Sequence, residues 1–249
     1  MRRVALVTGG GRGIGLAVAR ALAREGLAVA VAARTFDQVE RAAENLRNDG
    51  ATAMAIAVDV GDADGLTLAA GAIEATLGPV DVLVNNAGIA ESAPFARTDP
   101  DMWDRHLRVN ATGPYLATRA VLPGMLERGW GRIVNVASVA GLEGAAYVTA
   151  YTASKHALVG LTRALAVEVA GSGVTVNALC PGFAATDIAW TSARRIAAKT
   201  GKTFDEAVAV LAQLNPSGRL VEPDDVATAA VTVVRGDRNG DVLLIDGPP

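Results

Sequence analysis

Short apolar runs alternate along the chain with longer stretches whose apolar residues recur every three or four positions. The short runs are Val4–Val7, Ala28–Ala33, Ala53–Val58, Val80–Val84, Arg132–Val136, Val174–Ala178 and Val242–Ile245. Each is close to continuously apolar. A strand with one wet face alternates apolar and polar residues, whereas a strand covered on both faces stays apolar throughout. The longer stretches predict helices over Ile14–Glu25, Phe36–Arg47, about Ala63–Thr76 and about Asp224–Val234, with longer ones within Asp101–Arg128 and Thr149–Ala170. Gly26, Gly50 and Gly78-Pro79 stop the first three of these.

Strands alternating with helices predict an α/β protein with a parallel sheet of about seven strands and helices on both faces. A TIM barrel is the rival at this length. The glycine cluster after the first strand favours the open, Rossmann-type doubly wound sheet. No linker, low-complexity tract or repeat interrupts residues 1–249, so a single domain is expected. One segment breaks the rhythm. Thr186–Arg219 reads as a long helical excursion between two strands, a substrate lid at about 186–219.

Composition narrows the class. At 51% hydrophobic and 20% charged, the chain is no disordered segment. Aromatics are only 4%, so small aliphatic side chains must fill the core. Lys plus Arg number 23 and Asp plus Glu 26, a net charge of -3, which excludes the basic excess of a dedicated nucleic-acid binder. The single cysteine, Cys180, permits no intrachain disulfide and suits a reducing compartment. The first apolar stretch is too short for a signal peptide, and no run approaches the roughly 20 apolar residues of a membrane span. A cytoplasmic globule with no membrane partner is expected.

Thr8-Gly9-Gly10-Gly11-Arg12-Gly13-Ile14-Gly15 follows a strand and opens a helix. The cluster fits T-G-x-x-x-G-x-G, not G-x-G-x-x-G. Amides at such a helix start can cradle a pyrophosphate, and glycines let it approach. The same residues would also serve a plain tight turn; the strand before and the helix after favour nucleotide binding. The second strand ends Ala32-Ala33-Arg34-Thr35, with no carboxylate for ribose hydroxyls. Arg34 would suit a 2′-phosphate, helped by Arg12, or would stand in solvent as a loop residue. The expectation is NADP(H) over NAD(H). Asp37 is expected to cap or charge the next helix.

Tyr151 and Lys155 lie four residues apart on a predicted helix and share a face. A phenol titrates near about 10. A neighbouring ammonium favours the phenolate, and the tyrosine can then exchange a proton with a substrate oxygen. The alternative is a buried tyrosine beside a snorkelling lysine. Ser138 ends a strand at the carboxyl edge, where open sheets bind ligands; it would hydrogen-bond a carbonyl oxygen or cap a turn. The two histidines, His106 and His156, form no ligand cluster, so no metal site is expected. Cys180 reads as a packing residue.

In this order and spacing the chain resembles the short-chain dehydrogenase/reductases over nearly its whole length. The residues that carry the resemblance are Thr8–Gly15, Asp59-Val60, Asn85-Asn86-Ala87-Gly88, Asn110, Ser138, Tyr151 with Lys155, and Pro181-Gly182 followed by Thr186. The resemblance implies Tyr151 as general acid in reduction and base in oxidation, with Ser138 holding the substrate oxygen. It implies that Lys155 lowers the tyrosine pKa and binds the nicotinamide ribose, and that Asn110 anchors a water linking Lys155 to solvent. Asp59 and Val60 would meet the adenine. Asn86, Ala87 and Gly88 would line the cofactor cleft, and Pro181, Gly182 and Thr186 would position the nicotinamide. Arg34 matches the family's NADP-preferring variant. A homotetramer is expected on the same ground, although the chain ends Asp246-Gly247-Pro248-Pro249 where the family often ends Asp-Gly-Gly.

The stretch after Ser138, Val139 to Val148, is mostly small and apolar, with Glu143 as the exception; Val139, Glu143 and Tyr147 are candidate substrate contacts. It suits an acyl or alicyclic carbonyl better than a sugar. Trp190 would cover the substrate from the lid. Arg194, Arg195, Lys199 and Lys202 stand against Asp187 alone between Thr186 and Thr203. They would meet the phosphates of coenzyme A or an acyl-carrier phosphopantetheine, or form a solvated helix face. Segments 124–129, 152–156 and 180–183 are similar to bacterial 3-oxoacyl (β-ketoacyl) and polyketide ketoreductases. The expected activity is reduction of a 3-oxoacyl thioester. The alternatives are a polyketide, a cyclic ketone or another small alcohol, or an NADP(H)-sensing protein without turnover.

Overall fold

The computed structural model describes residues 2–247. Seven strands form one parallel sheet: β1 (Val4–Thr8), β2 (Ala28–Ala33), β3 (Ala53–Ala57), β4 (Val80–Asn85), β5 (Gly131–Val136), β6 (Val174–Pro181) and β7 (Val242–Ile245). Their order is β3-β2-β1-β4-β5-β6-β7. The direction of winding reverses beside β1, so a crevice opens between the carboxyl ends of β1 and β4.

The continuous apolar runs are explained by the two faces. Ala5, Val7, Val29, Val31, Val82, Val84, Val134 and Val136 point to one side, where α1 (Gly13–Arg24), α2 (Phe36–Asn48) and α9 (Pro223–Arg235) cover them. Val4, Leu6, Ala28, Ala30, Ala32, Leu83, Ile133 and Val176 point to the other, beneath α3 (Ala63–Leu77), α5 (Gly113–Glu127) and part of α6 (Thr149–Glu168). Each fully buried valine or leucine contributes roughly 1.5–3 kcal/mol. The many alanines contribute less, but they let α1 approach both the sheet and α9.

The expected helical region 101–128 is divided. α4 (Pro100–Leu107) passes through a wider π turn, Arg108–Thr112, into α5. Pro114 has no N–H to donate to the Asn110 carbonyl, so a regular α-helical ladder cannot run through this point. Residues 186–219 contain α7 (Asp187–Thr200) and α8 (Phe204–Ala212). Gly201 reverses the chain between them at φ 72°, and Thr203 with Glu206 forms a capping box for α8. The base of the excursion is closed by the Ala184–Val221 bridge and by Asn215, whose Nδ2 donates to Phe183 O (3.0 Å) and Arg219 O (2.7 Å). Among the described residues, no helix is long and apolar enough to cross a membrane.

Candidate active site

The site begins where β1 and β4 end. Thr8 Oγ1 accepts the Asn86 and Ala87 amides (3.0 and 3.2 Å), and Asn86 Nδ2 donates to Thr8 O and Gly9 O (3.0 and 3.2 Å). The two strand ends are therefore stapled together at the reversal point. Gly9 has φ 64° and Gly13 φ 52°, conformations that L side chains rarely adopt. α1 then starts at Arg12 with no side-chain cap and no acidic residue in its first turn. Its positive end meets the crevice with its first amides uncapped by any side chain, which fits a dinucleotide pyrophosphate.

Gly9, Gly13 and Ile14 line the cleft. Gly11 and Gly15, expected at the cofactor, are not among the lining residues. A Cβ on Gly11 would come 2.7 Å from Gln38 Cγ, and one on Gly15 would come 2.3 Å from Gly9 O. Both glycines therefore serve close packing behind the turn.

The cleft, about 990 Å³, runs along the carboxyl edge of the sheet. Arg12, Arg34, Thr35, Asp59 and Val60 line one end. Arg34 is exposed, and no described carboxylate lies within ion-pair distance of it. Arg12, expected to assist it, is instead paired with Asp187 at the start of α7. Asp59 Oδ1 accepts the Gly61 amide (2.8 Å). Asp37 lies in the first turn of α2 and adds charge there; Thr35 holds the cap position. Asn86, Ala87 and Gly88 line the middle of the cleft, and Pro181, Gly182 and Thr186 line its far wall.

At the other end α6 carries Tyr151 and Lys155 one turn apart, and β5 delivers Ser138. Lys155 Nζ donates to Val136 O (2.9 Å) and lies 5.8 Å from the centroid of the Tyr151 ring. Ser138 Oγ accepts the Ala140 amide (3.1 Å). Burial pulls the Lys155 ammonium down to about 8, opposed by Cys180 beneath it. The tyrosine departs from expectation. Burial pushes its phenol above the ordinary value, and the group that opposes this is the Ser138 hydroxyl, not the ammonium. A buried phenolate would need more compensation than this arrangement supplies.

Asn110 sits in the π turn, fully buried and behind the cleft lining. Its Nδ2 donates to Ile89 O (2.9 Å) and Ser154 Oγ (3.0 Å), and its Oδ1 accepts the Ile89 amide (2.9 Å). The carboxamide thus holds the chain after Gly88 against α6; in this arrangement it meets protein groups instead of the cleft.

Of the expected substrate contacts, Val139 and Glu143 line the cleft. Tyr147 does not: it is exposed, at φ 68°, and its carbonyl accepts the Ala93 amide (2.8 Å). Trp190 also does not; it joins the apolar cluster between α7 and α8, its ring 6.1 Å from that of Phe204. Sequence reasoning missed Ile89, Ala90, Ile188, Ser192 and Leu214, which line the substrate end. No local pattern marks them, because strand order and the return of the 186–219 excursion bring them there. The cations of that excursion are exposed, with Arg194 6.0 Å from the Phe204 ring and Arg195 Nη1 donating to Ser92 Oγ (3.4 Å).

The family described as short chain dehydrogenase matches residues 3–197. A 2-(S)-hydroxypropyl-CoM dehydrogenase of Xanthobacter autotrophicus is 41% identical over 248 residues, 98% of this chain and 95% of its own. An acetoacetyl-CoA reductase of Shinella zoogloeoides is 40% identical over 231 residues, 93% of this chain and 90% of its own. A crystal structure of an actinorhodin polyketide ketoreductase with NADPH aligns with a TM-score of 0.94 at 38% identity, covering 98% of this chain and 95% of that one. The sheet order, the glycine turn and the cleft are thus those of a known lineage, and the chain belongs to the short-chain dehydrogenase family, whose members are nicotinamide-dependent oxidoreductases acting on CH–OH and keto groups.

Proposed function

We propose that this chain is an NADP(H)-dependent ketoreductase that reduces a 3-oxoacyl thioester carried on CoA or an acyl-carrier protein. The observation that carries the reading is the convergence of Ser138, Tyr151 and Lys155 at one end of a cleft whose other end presents Arg34. A bound nicotinamide would supply a hydride to the carbonyl carbon. The protein's residues handle the oxygen and the proton. Ser138 Oγ and Tyr151 Oη hold the carbonyl oxygen, and the phenol gives up its proton as charge develops there. The Ser138 hydroxyl would steady the charge left on the phenolate, and the Lys155 ammonium, 5.8 Å from the ring centroid, would add a positive charge nearby. Gly9, Gly13 and Ile14 would hold the pyrophosphate, Asp59 and Val60 the adenine, and Arg34 the 2′-phosphate. The excursion at 186–219 acts as lid, with Arg194 and Arg195 facing the carrier phosphates. A homotetramer working in the cytoplasm belongs to the same reading. The apolar wall from Val139 to Val148 and the hydroxypropyl-CoM relative favour a small or cyclic ketone as the second substrate class.

The test is initial-rate oxidation of NADPH and of NADH with acetoacetyl-CoA, a cyclic ketone and a quinone. NADPH with acetoacetyl-CoA should give the highest kcat/KM. Tighter use of NADH would overturn the cofactor assignment. Tight cofactor binding without turnover would favour a sensor. In Arg34→Ala the KM for NADPH should rise about 10- to 100-fold, the worth of a charge-assisted hydrogen bond, while that for NADH stays unchanged.

The pH profile of reduction follows from the shifted lysine. Lys155 is charged below about 8, and the raised phenol stays protonated well above that. Reduction should therefore be full below about pH 8 and decline by a one-proton step as pH rises. In Lys155→Arg the residual activity should keep its charge and move that limb upward by about one pH unit or more. An alkaline limb that stays in place would assign it to another group.

A further inference from the structure

Among the described residues His106 joins no metal-binding cluster, and it lies outside the set of residues that would touch substrate or cofactor, yet it is fully buried beside the reacting end of the cleft. Its partners fix its chemistry. The Met102 carbonyl can only accept, so Nδ1, 2.8 Å away, carries the proton. The Glu91 amide can only donate, so Nε2, 3.0 Å away, offers its lone pair. An imidazolium would set donor against donor at Glu91, and only the neutral ring fits. The same ring meets the Tyr151 ring edge to face, with centroids 6.4 Å apart and planes at 79°.

The amide held by His106 belongs to a strap, residues 89–93, that is tied to the π turn, to α7 and to the chain before α6. Ile89 and Ala90 line the cleft, and Asn110 holds both backbone groups of Ile89. Ser92 accepts from Arg195 of α7, and the Ala93 amide donates to the Tyr147 carbonyl. His106 is the point where this strap and the Tyr151 ring meet one side chain.

We infer that His106 is a positioning residue for carbonyl reduction: one neutral imidazole sets both the strap wall that receives the ketone and the orientation of the Tyr151 ring. This rests on the role proposed for Tyr151. The two functions of the ring separate in two variants. His106→Gln keeps an acceptor for the Glu91 amide but removes the ring from Tyr151. His106→Phe keeps a ring edge but loses the hydrogen bond to the strap.

The experiment measures kcat and KM for acetoacetyl-CoA at saturating NADPH, with NADPH dissociation constants and melting temperatures alongside. His106→Gln should lower kcat about 5- to 10-fold with KM near that of the parent. His106→Phe should raise KM about 10-fold with kcat within about threefold. NADPH affinity should be unchanged in both. Parental kcat and KM in both variants would overturn the inference. So would a joint loss of NADPH binding and cooperative melting, which marks a plain core residue. If His106→Phe does not fold, the kcat of His106→Gln decides alone. The role of Tyr151 is tested separately: activity retained in Tyr151→Phe would remove the site reading itself, whereas its loss there with parental His106 variants would remove only this inference.

Discussion

Tyr151→Phe is expected to lower kcat for carbonyl reduction by about 10³-fold, within the range that a positioned proton donor contributes. NADPH should still bind within about threefold of the parent. The substitution removes one oxygen and little else. Lys155 keeps its bond to the Val136 carbonyl, and the ring keeps its edge contact with His106. The cofactor contacts proposed along the glycine turn and at Arg34 lie at the far end of the cleft. What disappears is the proposed proton donor, a phenol that burial pushes above its ordinary value. Single-turnover rates, with fluorescence titration of NADPH, check both halves. A kcat within tenfold of the parent would assign the proton to another group.

Gly15→Ala should be the most damaging single methyl group in the chain's cofactor end. The added Cβ would stand 2.3 Å from the Gly9 carbonyl oxygen and 2.4 Å from Asn86 Nδ2. Neither neighbour is the loose end of a flexible side chain. The carbonyl is backbone, and Asn86 is held by Thr8 and Gly9. Relief requires α1 to move off the sheet or the staple between β1 and β4 to break. A stability loss of about 3 kcal/mol, the upper end for overpacking, is expected, with NADPH binding at least about tenfold weaker. Urea midpoints and cofactor titration measure it. Gly71→Ala is the control: it lies within α3 with nothing within 4 Å of the added Cβ, and it should stabilise by about 0.5–1 kcal/mol. Equal behaviour of the two variants would sink the steric account.

Much of the site is legible in the sequence because its parts are local. Tyr151 and Lys155 share a helix face by spacing alone. The glycine turn announces itself between a strand and a helix. Its individual glycines did not: Gly11 and Gly15 look like Gly9 and Gly13 in sequence, but the first pair packs against Gln38 and Gly9 O while the second pair lines the cleft. Trp190 and Tyr147 were equally plausible substrate contacts. Whether an aromatic side chain enters a cleft depends on the rotation of its element against neighbours far along the chain. For Trp190 the competing partner was Phe204, across the turn between α7 and α8.

By itself the chain determined its period, its punctuation and the types of its reactive groups. Continuous apolar strands demand cover on both faces, and alternation with helices then leaves few arrangements beyond a parallel sheet. Tertiary structure alone decided which groups meet and at what dielectric. It paired Arg12 with Asp187, left Arg34 open to the cleft, and put His106 against Tyr151. It also set the direction of both titrations at the reacting end, since desolvation outweighs the Ser138 hydrogen bond at the phenol and the Cys180 charge at the ammonium and drives both towards their neutral forms. Spacing along one helix places two side chains together; only the packing of the other elements around them removes the water that would hold their charge.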